Sequence, residues 1–190
     1  MASSPSTALL IEAPAGRHFA QLHKEPQVLA DAVGLFVETG LIRNEAVLVV
    51  APSARIPAYL ERLTRSNKPV QAWQKTGQLI VMDGPVLLSR FMKNDMPVWE
   101  EFRDIVGQIL ANTATLNWNG IRVYGEMVND LWRAGHTAAA IRLEEYWNEL
   151  ARLHQFCLFC GYHIDSTHET SYCDPLHEIG RTHSDILSTE

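Results

Sequence analysis

Four short apolar runs recur along the chain: EAVLVVAP at 45–52, QLIVMDG at 78–84, IRVYGEM at 121–127 and FCLFCGYH at 156–163. Their apolar positions are nearly continuous rather than alternating, which is how a strand covered on both faces reads. RHFAQLH at 17–23 fits a further short strand. Between them the spacing changes to that of helices. EPQVLADAVGLFVETGLIR places Val28, Ala32, Leu35 and Phe36 on one side, with Gly40 where a helix C-cap is expected. SARIPAYLERLTRS is amphipathic with Ser53 as its expected N-cap, and VQAWQKTG suits a short helix. VWEEFRDIVGQILANTATL puts Trp99, Phe102, Ile105, Val106, Ile109 and Leu110 on one face. HTAAAIRLEEYWNELARLH is a second long helix, and Asp174-Pro175 opens a last one expected over 175–187.

Strands alternating with helices predict an α/β domain of three layers, a mostly parallel sheet flanked by helices. Residues 1–16, MASSPSTALLIEAPAG, are small, polar and proline-bearing and read as a flexible arm, with a single domain over 17–190. Ligands of such sheets lie beyond the carboxyl ends of the strands. In this chain that edge is expected in the loops after His23, Pro52, Asp83, Glu126 and Tyr162.

Charge narrows the partners. Twenty-two acidic against sixteen basic side chains give a net charge of −6, and no Lys/Arg run exceeds two residues, so direct nucleic-acid and membrane-surface binding are not expected. No run approaches the ~20 apolar residues that span a bilayer, and the start lacks a signal-peptide pattern. With three cysteines, an odd number, the expected location is the reducing cytoplasm.

Candidate chemistry divides into several readings. Cys157, Cys160, Cys173 and His177 have the spacing C-x2-C-x12-C-x3-H of a zinc finger. Against zinc, the intervening segment is mostly polar, Pro175 starts a helix after Cys173, and residues three apart on a strand point to opposite faces. Buried structural cysteines are the preferred reading, with the zinc tetrad as the alternative. Neither G-x-x-x-x-G-K-[ST] nor G-x-G-x-x-G occurs, so ATP is not an expected cofactor, although Asp83 and Glu126 could hold magnesium in a degenerate nucleotide-binding enzyme. A thiol-dependent enzyme built on Cys160, His18, His23 and Glu126 is another alternative. Glu126 directly follows an apolar strand and needs a partner if buried; Arg122, on the same face of that strand, is the expected one.

HFAQLHKEPQVL, FVETGLIRNEAVLVVAP, GQLIVMD, GIRVYGEMVNDLWRAGHTAAAIRLEEYWNEL and FCLFCGYH together resemble the MEDS domain, a sensory domain named after methanogens, methylotrophs and the dichloromethane-responsive regulator. The resemblance runs from about Arg17 to His163, and the trailing HSDI is similar as well. It implies a RecA-like or KaiC-like fold without its phosphate loop, and a sensor of small molecules such as hydrocarbon derivatives. The family's recurring features fall on His18, Gly40-Leu41 with Glu45, Arg122, Gly125-Glu126-Met127 and Cys160-Tyr162. No kinase, receiver or helix-turn-helix segment accompanies them, so the expected output is through a partner, a histidine kinase or a transcription regulator, with a homodimer as the expected assembly. The expected ligand site takes Arg122 and Glu126 as polar floor, His18, His23, Glu45 and Cys160 as further contacts, and Trp132 and Tyr162 as aromatic walls. A ligand-free interaction module is the remaining alternative.

Overall fold

The computed structural model describes residues 5–164 and 173–187. Six parallel strands form one sheet: β1 (His18–His23), β2 (Ala46–Ala51), β3 (Leu79–Asp83), β6 (Ile121–Gly125), β7 (Cys157–His163) and β8 (Asp185–Leu187). Their order across the sheet is β3-β2-β6-β7-β1-β8. Two further two-residue strands, β4 (Met92–Lys93) and β5 (Met96–Pro97), make a separate antiparallel hairpin. Its loop residues Asn94 and Asp95 both have positive φ, as a tight two-residue turn of this twist requires.

The apolar runs are buried on both sides because alternate residues feed two different cores. Leu48, Val50, Val123, Leu158 and Cys160 join one core, while Val47, Val49, Tyr124, Cys157 and Phe159 join the other. The first core lies under α8 (Met127–Arg133), α9 (Thr137–Leu153) and the run α6 (Trp99–Phe102) to α7 (Gln108–Ala114), which contains a π-helical turn at Arg103–Gly107. The second lies under α1 (Pro5–Glu12), α2 (Pro26–Ile42) and α3 (Ile56–Arg65), with α4 (Val70–Lys75) alongside. The expected three-layer α/β architecture is the observed one. No helix among the described residues is long and apolar enough to cross a membrane.

Several local expectations give way. The segment read as a flexible arm contains α1, which buries Leu10 against the second core. Its C-terminal carbonyls are met from outside: Arg122 donates to Leu10 O (2.8 Å) and Ile11 O (2.9 Å), and Arg43 donates to Ile11 O (2.8 Å). Gly40 is not a C-cap, since α2 continues to Ile42 and Arg43 caps it. A Cβ at Gly40 would lie 2.7 Å from Arg122 Cδ, so the glycine is where the arginine side chain crosses α2. Ser53 does not cap α3; the residue before that helix is Arg55, and Ser53 donates instead to Asp83. Asp83 itself caps α5 (Gly84–Ser89) by accepting from Val86 N at 2.9 Å. The helix expected over 175–187 is shorter, α10 (Cys173–Thr182), because Asp185–Leu187 find hydrogen-bonding partners on the free edge of β1 and become β8.

Candidate functional site

β1 and β7 pair in parallel with Ala20 opposite Cys160, which puts His18, Cys160 and Tyr162 on the face covered by α9. From α9, Glu144 descends onto them. From the loop between α10 and β8, His183 completes the group. All are buried: His18 is 5% exposed, Cys160 2%, Glu144 3%, Tyr162 3% and His183 8%. The His18 main chain is tied to the C-terminal segment, its oxygen accepting from Ser184 N (2.6 Å) and Ser184 Oγ (2.7 Å).

The hydrogen bonds around the two imidazoles assign their tautomers. Ile179 O can only accept, so the 2.7 Å contact places a proton on Nδ1 of His183. Asn148 donates through Nδ2 to Thr182 O at 2.9 Å, which turns its Oδ1 toward Nδ1 of His18 at 2.9 Å; that nitrogen carries the proton as well. Both Nε2 atoms are therefore bare in the neutral rings, and both point inward. His18 Nε2 lies 3.3 Å from Glu144 Oε2 and 3.4 Å from Cys160 Sγ; His183 Nε2 lies 3.4 Å from Glu144 Oε1. Tyr162 donates its hydroxyl to Glu144 Oε1. Burial lowers the pKa of each histidine to about 4 and raises those of Glu144, Cys160 and Tyr162, in each case by disfavouring the charged form.

Outside this cluster, between the start of β1, α6, α9 and the α10–β8 loop, opens a cleft of about 920 Å³. His18 and His183 are at its inner wall, with Trp99, Arg142, Tyr146 and Asn148 around them. The aromatic pocket expected at Trp132 and Tyr162 is a narrow seam with Glu144, of about 10 Å³, room for no more than one water.

The remaining sequence-predicted residues lie elsewhere. Arg122 and Glu126 do not pair: they sit at opposite ends of the five-residue strand β6, which runs about 3.3 Å per residue. Arg122, 1% exposed, holds Glu45 at the amino edge. Glu126, fully buried at the carboxyl edge, accepts from Tyr59 and from Tyr124 (2.9 Å) and pairs with Arg55 at 2.5 Å. Arg55 also reaches Asp130 at 3.0 Å, and burial raises the pKa of both acids. This is a closed ion-pair network with Arg55 as its outlet to solvent. His23 stands at the carboxyl end of β1, donating from Nδ1 to Glu25 O at 3.2 Å, its ring 5.3 Å from that of His163. Cys157 faces the second core and Cys160 the first, so the two thiols cannot serve one ion. His177 is exposed, and the side chain of Cys173 lies outside the described residues.

Glu144, His183 and Asn148 are absent from the sequence-based candidates. Glu144 could have been found: it falls on the apolar stripe of α9 formed by Ala140, Leu143, Trp147 and Leu150, where an acid is out of place. His183 could not, because its segment reads as helix.

The chain matches the family model described as "MEthanogen/methylotroph, DcmR Sensory domain" (MEDS) over residues 17–184. No curated protein matches it. Among solved structures it is similar to a KaiC-like protein of Pyrococcus horikoshii OT3 (TM-score 0.52, 11% identity, 80% of this chain) and spans 64% of that protein's length, less than two thirds. It is also similar to the flagellar accessory protein FlaH of Methanocaldococcus jannaschii (TM-score 0.53, 12% identity, 93% of this chain and 72% of that one). A second Pyrococcus horikoshii OT3 protein gives TM-score 0.55 at 12% identity, over 97% of this chain and 87% of that one. These likenesses are of fold, the RecA/KaiC-like three-layer α/β arrangement.

Proposed function

The chain belongs to the MEDS family of sensory domains, and from that premise we propose that it binds a small molecule in the cleft beside α9 and reports occupancy to a partner protein without transforming the ligand. The observation that carries this is the cleft itself. Its volume of about 920 Å³ suits a small organic molecule, and its inner wall is made by two buried histidines. Cationic Arg142 and the aromatic rings of Trp99 and Tyr146 offer polar and apolar contacts side by side.

The partner is taken to be a histidine kinase or a transcription regulator. Transmission is through the α10–β8 segment, which contributes Arg181, Thr182, His183 and Ser184 to the cleft. β8 is a three-residue edge strand held to β1 by three register pairs, the kind of element whose docking a ligand can bias at small cost. Two features favour a non-catalytic reading. The Cys160 thiol is kept from its nucleophilic thiolate form by burial. The loop from β1 to α2 is only Lys24-Glu25, too short and without the glycines that cradle phosphates.

Native mass spectrometry of the purified protein, repeated after denaturation, tests the reading. A retained organic molecule released on unfolding is expected, and Glu149→Trp, an exposed wall position, should purify folded but without it. A protein that retains nothing, and whose melting temperature responds identically to small hydrocarbon derivatives with and without Glu149→Trp, would remove the cleft from consideration.

A further inference from the structure

We propose that His18, Glu144, Cys160 and His183 bind a divalent transition-metal ion, with zinc the ion that this donor set fits. One atom from each residue lies within 4.8 Å of the atoms of the other three. Ligands about 2.0–2.3 Å from a tetrahedral zinc stand about 3.3–3.6 Å from one another. Three of the separations fall in that range: 3.3 Å for His18 Nε2 to Glu144 Oε2, 3.4 Å for His18 Nε2 to Cys160 Sγ and 3.4 Å for His183 Nε2 to Glu144 Oε1, the two histidines approaching different oxygens of the carboxylate, so that a tetrahedral ion would draw the four donors together from within 4.8 Å.

The tautomers make the case chemical as well as geometric. Both Nδ1 atoms spend their protons on fixed acceptors, Asn148 Oδ1 and Ile179 O, so two imidazole lone pairs are aimed at the oxygens of one buried carboxylate. Lone pairs facing lone pairs in a dry interior are unfavourable unless protons or a cation lie between them. No lysine or arginine among the described residues forms an ion pair with Glu144. A single proton on the carboxylate does not resolve the arrangement. A proton on Oε2 of Glu144 would serve His18, yet Oε1 already accepts from Tyr162 and would still face the bare Nε2 of His183. Glu144 Oε2 and His183 Nε2 are without a hydrogen-bond partner although buried. One metal ion satisfies all four donors at once, displacing the thiol proton of Cys160 to solvent. The contacts that the far sides of the rings already make, His18 Nδ1 to Asn148 Oδ1 and His183 Nδ1 to Ile179 O, are of the kind that orients histidine ligands. Four protein ligands make this a closed structural site, which ties β1, β7, α9 and the α10–β8 loop together. It stands on this geometry alone, whatever occupies the neighbouring cleft.

Metal analysis of protein purified without chelator should find close to one zinc per chain. Cobalt(II), added to protein stripped by chelator, should give tetrahedral visible bands and a thiolate-to-cobalt charge-transfer band. Cys160→Ser should abolish the charge-transfer band and Cys157→Ser should leave it. Asn148→Ala, outside the ligand shell, should weaken metal affinity about 10–100-fold. If Cys160→Ser does not fold, the cobalt spectra of the wild type and of Cys157→Ser decide the matter. Folded, metal-free protein that shows no charge-transfer band with cobalt, or a band lost in Cys157→Ser, would overturn the assignment.

Discussion

Replacing Arg122 with methionine should destabilise the protein by about 3–5 kcal/mol, the range for breaking a buried charged pair by removing one partner. The guanidinium is 1% exposed and donates to Leu10 O (2.8 Å), Ile11 O (2.9 Å) and Phe36 O (3.2 Å) besides pairing with Glu45. Glu45 is 16% exposed in its side chain and can turn toward water, so its loss of a partner contributes the smaller share. The larger share is in α1. Leu10 and Ile11 lie in its last turn, where carbonyls have no partner within the helix, and leaving a buried one unmet costs about 1–3 kcal/mol. At about 2–4 °C per kcal/mol for a chain of this size, the melting temperature should fall by about 6–20 °C. Arg122→Lys keeps the charge but loses the planar fork, and should recover less than half of the loss. Urea unfolding measures the stability, and hydrogen exchange of the amides at 9–13 reports whether α1 has come loose. If Arg122→Met unfolds within 1 kcal/mol of wild type, or α1 keeps its protection, then the arginine is not what anchors that helix.

Gly40→Ala should destabilise by about 1–3 kcal/mol despite alanine's higher helix propensity, because its Cβ would meet Arg122 Cδ at 2.7 Å and Val47 Cγ2 at 2.9 Å; a more stable variant in the same unfolding assay would mean that the crossing has room. His23 is buried with its pKa lowered from 6.5 to about 4, chiefly by burial and then by His163. Its depressed folded-state pKa means that its contribution is present above pH 6.5 and is lost as pH falls through 4, by on the order of 3 kcal/mol. The stability difference between wild type and His23→Phe, followed by urea unfolding from pH 7 to pH 4, should shrink across that window, and a constant difference would show that His23 is not held neutral.

Much of the fold is legible in the sequence because burial writes directly onto local pattern. The strands at 46–51, 79–83, 121–125 and 157–163 are apolar on consecutive residues because each residue enters one of two cores. Cys157 and Cys160 could be separated from each other on this ground alone, since strand geometry puts residues three apart on opposite faces. Pattern also explains the errors. Arg122 and Glu126 share a face by parity, but parity carries no information about the length of strand between them. Gly40 resembles a helix terminator because a glycine that admits a neighbouring side chain and one that ends a helix look the same without the neighbour.

The cluster of His18, Glu144, Cys160 and His183 is of another kind. Its members come from a first strand, a penultimate long helix, a central strand and the loop before the last strand. His18 and Cys160 stand among the sequence-based ligand contacts, whereas Glu144 lies on an apolar helical stripe and His183 in a segment that reads as helix, and nothing in the sequence joins the four. Local sequence specifies each element and the face each residue takes, through periods of 3.6 and 2. Which elements become neighbours is set by the pairing of β1 with β7, the seating of α9 over them and the addition of β8 to the sheet edge. Those are contacts between residues far apart in the chain, chosen by the packing of whole faces, and no local pattern records the few ångströms that bring two bare imidazole nitrogens and a thiol onto one carboxylate.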